Sequence, residues 1–157
     1  MNNSAEKILY RKAALIFEEL GFLMPRPDNG YGIENSNDST GIVFFRGPFS
    51  GYLQVSLNSE LLSQLAANML GDENFIIQEC ERDSLREIAN VICGNAHPAI
   101  FGFEPIFHLD APRLFEKAGG TAPNGKFKNI AKTHILFDSG YAEVSLYADQ
   151  NAPDAIA

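Results

Sequence analysis

Positive charge is scarce in this chain of 157 residues: 12 Lys and Arg stand against 20 Asp and Glu, a formal net charge of −8, with a pI near 4.8. Nucleic-acid binding rests chiefly on Lys and Arg neutralising phosphates, so this balance argues against a DNA or RNA partner. Cysteine is nearly absent. Cys80 and Cys93 stand 13 positions apart without clustered histidines, match no common zinc spacing, and are expected as free thiols. Long apolar runs are lacking as well. Lys7, Arg11 and Lys12 interrupt the apolar positions near the start, leaving neither a signal-peptide core nor a membrane span. The expectation is a chain that is not exported, lies in the cytoplasm and stays off the membrane.

Familiar catalytic signatures are also missing. Gly120 to Lys126 satisfies the first seven places of a phosphate-binding loop, but Phe127 stands where Ser or Thr must hold Mg²⁺, and the residues beyond it read as a strand instead of a helix. A flexible turn explains the segment. His97, His108 and His134 lie far apart beside apolar residues, with no recognisable Ser or Cys nucleophile motif near them, and are expected to be structural or on the surface.

What is present suits one folded domain. Hydrophobic residues make up 45% and charged residues 20%, near the values of ordinary globular proteins, and the length suffices to bury a core. Residues 1–150 are expected to form that domain, with 151–157 as a loose tail.

An amphipathic first helix carries Ile8, Leu9, Ala13, Ile16 and Leu20, and Gly21 stands where a helix commonly stops. Pro25 to Thr40 reads as a surface loop with a short strand near Tyr31 to Glu34. Gly41 to Phe45 and Tyr52 to Leu57, rich in β-branched and aromatic residues and separated by Gly-Pro and Ser-Gly signals, read as a hairpin. Asn58 or Ser59 can cap a second helix bearing Leu61, Leu62, Leu65, Ala66 and Met69, ended by Gly71. Beyond a third helix the strands expected are Glu104 to Asp110, Arg113 to Lys117, Ile130 to Phe137 and Ala142 to Ala148, with a tight turn at Asp138-Ser139-Gly140. Strands in hairpin order with helices bunched between them imply an α+β fold, an antiparallel sheet packed with amphipathic helices.

The third helix, from about Asp83 to Asn95, holds the candidate chemistry. At 100° per residue Leu85, Ile88, Ala89 and Ile92 fall on one arc, with Cys93 at its edge, while Asp83, Glu87, Asn90 and Gly94 fall on the opposite side as vertical neighbours. Gly94 costs about 1 kcal/mol against Ala in a helix interior. On an exposed face it leaves room for another molecule beside Asn90. Leu62 to Asp72 aligns weakly with Leu85 to Asn95, placing Gln64 and Ala67 where Glu87 and Asn90 stand. Only one copy carries the polar pair.

The stretch Ser84 to Ala96, SLREIANVICGNA, resembles the helix of the bacterial chemotaxis CheC and CheX phosphatase family, whose mark is Glu-x-x-Asn followed by a short apolar run and Gly-Asn. Glu87, Asn90, Gly94 and Asn95 fit it, and the likeness extends over most of the chain after Gly41. With one such motif the chain is similar to the CheX-like, single-site members. The resemblance implies a protein-aspartate phosphatase that dephosphorylates a CheY-type response-regulator receiver domain. In it, Glu87 and Asn90 are catalytic: Asn90 positions the attacking water and Glu87 anchors a lysine of the receiver's active site. Asp83, Arg86 and Gly94 would touch the partner. No cofactor of the chain's own is implied, since Mg²⁺ is supplied by the receiver, and CheX relatives lead us to expect a homodimer. The alternative is a non-enzymatic receiver-binding adaptor or a scaffold related to flagellar switch components. Pro98, four residues beyond Gly94, is expected to kink or stop the helix.

Overall fold

Side chains alternate across every long strand, and that alternation fixes how the layers stack. The computed structural model describes residues 4–27, 38–70, 78–116, 126–150 and 152. In chain order its elements are α1 (Ser4–Gly21), β1 (Ser39–Arg46), β2 (Gly51–Leu57), α2 (Ser59–Leu70), α3 (Gln78–Phe101), β3 (His108–Leu109), β4 (Arg113–Glu116), β5 (Phe127–Phe137) and β6 (Gly140–Asp149). The six strands form one sheet in the order β3-β1-β2-β6-β5, with β4 also pairing β1. All its pairings are antiparallel. This is the α+β architecture expected from the sequence.

Register puts the apolar members of each strand on one face. Val43 lies opposite Leu53 and Leu53 opposite Leu146, while Ala131 lies opposite Leu146 and Ile135 opposite Ala142. These side chains join Leu9, Ala13 and Phe17 of α1, Leu61 and Leu65 of α2, and Leu85, Ile88, Ala89 and Ile92 of α3 in a single buried cluster. The other face is more polar. There Thr40 and Ser56 share a buried hydroxyl hydrogen bond of 2.8 Å, and Tyr52 stacks on Tyr147 with centroids 4.7 Å apart.

Several boundaries differ from expectation. The expected strand from Glu104 to Asp110 is reduced to the two residues of β3, in a segment where Pro105 has no N–H to give a ladder. Gly21 closes α1, but the left-handed position is Phe22, at φ 51°. Gly21 answers instead to packing, because a Cβ there would stand 2.6 Å from Leu65 Cδ1. Neither Asn58 nor Ser59 caps α2 with its own side chain. The Ser59 N–H and hydroxyl both donate to Asp38 Oδ2, at 2.8 and 2.6 Å. Asn58 is engaged by the β5–β6 turn, accepting from the Tyr141 N–H at 3.0 Å and donating to the Ser139 carbonyl. Ala152, in the expected loose tail, is buried, and its carbonyl accepts from Lys128 Nζ at 3.1 Å. The expected strand at Tyr31 to Glu34, Gly71, Lys117 and all but Lys126 of the loop-like Gly120 to Lys126 lie outside the described residues.

Candidate functional site

The helix that carries the polar pair is longer than its periodic core suggests. α3 runs from Gln78 to Phe101, about 36 Å at 1.5 Å per residue, and Pro98 lies inside it without stopping it. Pro98 removes the N–H that would bond the Gly94 carbonyl, yet the helix continues to Phe101. It is closed by Gly102 at φ 96°, whose N–H donates to the Pro98 carbonyl at 2.8 Å. At the other end the polar Gln78 to Arg82 adds a turn that no apolar period announces.

Glycine in β1 seats this helix. A Cβ on Gly41 would stand 3.3 Å from both Ala89 Cβ and Leu85 Cγ, so the backbone of β1 and the apolar arc of α3 meet closely there. With Leu85, Ile88, Ala89 and Ile92 fully buried, the opposite face is held outward: Asp83, Glu87, Asn90 and Gly94 are all exposed. Glu87 and Asn90, one turn apart, have Cβ atoms about 5–6 Å from each other. Among the described residues neither is held by a hydrogen bond or an ion pair, so both are available to a second molecule. A Cβ on Gly94 would meet nothing within 4 Å.

The neighbours are engaged. Arg86 pairs with Asp83 at 2.7 Å and with Glu79 at 3.6 Å, so it flanks the pair as part of an ion-paired cluster on its own helix. Asn95, the last residue of the motif, donates back to the Val91 carbonyl at 2.7 Å. The α2 copy of the pattern is closed: Ala67 is buried, and Gln64 donates to Asn68, which donates to the Gly21 carbonyl, both at 2.7 Å. Its polar atoms tie α2 to the end of α1.

At the C-terminal part of α3 a cleft of about 200 Å³ is lined by Gly94, His97, Pro98, Phe103, Pro105 and Phe107, among others. His97 is a structural histidine, 4% exposed, with ring centroids 4.4 Å from Phe45 and 4.3 Å from Phe107. Its Nε2 has no hydrogen-bond partner among the described residues. Burial pushes its pKa down to about 4. Burial also drives the Cys93 thiol up to about 12, which keeps it protonated and unreactive. Both cysteines are free. The seat at Gly41 and the cleft are features that sequence reasoning missed, because each is made by residues far apart along the chain.

Among the described residues, three helices lie on one face of an antiparallel sheet and an unengaged Glu and Asn turn outward on α3, which defines an α+β domain with an exposed polar pair. Residues 39–134 match the family model described as chemotaxis phosphatase CheX, and the chain belongs to that family. No curated protein matches it. Among solved structures it is similar to the chemotaxis protein CheX of Desulfovibrio desulfuricans, with a TM-score of 0.75 and 20% identity over 94% of this chain and 100% of that one. It is also similar to CheX of Vibrio vulnificus, with a TM-score of 0.73 and 18% identity over 94% and 97% of the two chains. A third likeness is to the CheX-CheY-BeF3-Mg²⁺ complex of Borrelia burgdorferi, with a TM-score of 0.69 and 14% identity over 92% and 97%.

Proposed function

We propose that the protein is an aspartyl-phosphate phosphatase acting on a phosphorylated CheY-type receiver domain, with Glu87 and Asn90 as its catalytic pair. The observation that carries this reading is the pair itself, exposed and unengaged on a helix whose other face is fully buried. Membership of the CheX family supports the reaction class, and the Borrelia CheX-CheY complex supports a receiver as partner.

Hydrolysis of an acyl phosphate needs a water in line with the phosphorus: the new oxygen–phosphorus bond forms as the bond to the aspartyl oxygen breaks, leaving a free carboxylate and inorganic phosphate. Holding that water replaces an unfavourable encounter by a preset geometry, a large part of the barrier in such reactions. Asn90 presents an amide that both donates and accepts but does not titrate, so it orients the water without serving as its base. Glu87, one turn away, offers a carboxylate to the lysine of the receiver site and sets the distance at which the two surfaces meet. Mg²⁺, brought by the receiver, neutralises charge on the phosphoryl oxygens. Asp83 and Arg86 border the contact as an ion pair, and Gly94 keeps its floor open.

The test is to charge a receiver with a small phosphodonor and follow its phosphoryl group with and without the protein. A shortened lifetime supports the phosphatase. Tight, phosphorylation-dependent binding with an unchanged lifetime would instead make the protein an adaptor.

A further inference from the structure

The polar face of α3 is small and holds no apolar anchor. From Asp83 to Gly94 it spans roughly 16 Å at 1.5 Å per residue and presents Asp83, Glu87, Asn90 and Gly94. Stable protein interfaces bury about 800 Å² per partner around a core enriched in aromatic and apolar groups. Large apolar side chains stand exposed beyond the C-terminal end of this helix. Phe103 and Ile106, in the segment that leads out of α3, are 84% and 88% exposed, the highest values among the exposed large hydrophobic residues described.

Their exposure is built into the segment. Gly102 turns the chain out of α3, and Phe107 packs with its centroid 5.8 Å from Phe45 and 4.9 Å from Phe49. Gly47 fits against the same stretch so closely that a Cβ there would stand 2.7 Å from the Ile106 carbonyl oxygen. The backbone is thus pinned on both sides while Phe103 and Ile106 project. The cleft described above links the two surfaces, with Gly94 and Phe103 both in its lining.

Resting on the phosphatase reading, we propose that receiver docking is bipartite: the α3 face engages the phosphorylated site, and Phe103 with Ile106 grips an apolar patch on the same receiver beside it. Both side chains act in binding and neither touches the reacting atoms.

The experiment compares the native chain with the F103S/I106S double variant and with F22S, which removes an exposed aromatic at the end of α1. Readouts are Kd for the phosphorylated receiver, turnover at saturating receiver, and self-association by light scattering. The expected result is a Kd raised at least tenfold in the double variant, turnover at saturation within twofold of native, and no change in F22S. An unchanged Kd overturns the inference and leaves the phosphatase reading standing. So does an unchanged Kd accompanied by lost self-association, which assigns the patch to a second copy. If the native chain neither binds a receiver nor shortens its phosphoryl lifetime, the phosphatase reading fails and this inference with it.

Discussion

His97 sits in a ring cage of Phe45, Phe101 and Phe107 that has no place for a charge. Its folded-state pKa of about 4 lies below the ordinary 6.5 because burial disfavours the cation. The unfolded chain therefore binds this proton more readily than the folded one. The stability it contributes is fully present above pH 6.5 and is lost as pH falls toward 4, at no more than about 1.4 kcal/mol per pH unit. H97F should flatten that acid slope in denaturant titrations between pH 6.5 and 4. A second residue-scale prediction concerns Gly94. Since a Cβ there meets nothing within 4 Å, G94A should add up to about 1 kcal/mol from helix propensity, raising Tm by about 2–4 °C. Bulkier G94L should fold equally and weaken receiver binding. The exposure of Glu87, Asn90 and Gly94 was legible in the sequence because it follows from the 3.6-residue period alone. The caging of His97 was not, because only Phe101 comes from its own helix, while Phe45 comes from β1 and Phe107 from the segment before β3.

Helix placement depends on contacts that no local pattern announces. The apolar arc of α3 is plain in the sequence, yet its seat is Gly41, whose missing side chain matters only once Leu85 and Ala89 lie against it. G41V should force the two elements apart, cost about 1–3 kcal/mol as overpacked cores do, and lower phosphatase activity through the displaced helix; thermal denaturation and turnover measured together check it. The start of α2 was legible but its cap was not, because Asp38 and Ser59 stand 21 positions apart and only the paired strands β1 and β2 close that gap. Two hydrogen bonds from Ser59 hold the Asp38 carboxyl below the usual carboxylate range. D38A should destabilise the fold by about 0.5–2 kcal/mol, the ordinary worth of an N-cap, as read from the denaturant midpoint. Pro98 misled the expected helix end for a related reason: a proline breaks an isolated helix, whereas here the turn around it is buried through His97, Ile100 and Phe101.

Across the whole molecule, the sheet and the three helices share one core, and α3 lies in it with its polar face exposed. The family likeness carries a further expectation, a homodimer, and light scattering should return twice the mass of the chain; a monomer removes that claim without touching the site. The hairpin pairing of β1 with β2 and of β5 with β6 followed from turn signals in the sequence, and the Glu-x-x-Asn pair from its place on a helix, whereas the pairing of β2 with β6 joins strands far apart along the chain and no local pattern announces it. The segment between α3 and β4 did not, because its shape comes from packing on Gly47 and Phe49 and not from a strand pattern.

Whether Asn90 positions the water that cleaves the receiver's phosphoryl group is tested most directly by one measurement: single-turnover decay of a phosphorylated receiver saturated with either the native protein or N90A. N90A should bind the receiver with native affinity and slow the decay by about a hundredfold or more, the scale of a lost positioning contact. Native-rate decay with N90A at saturation would contradict that role.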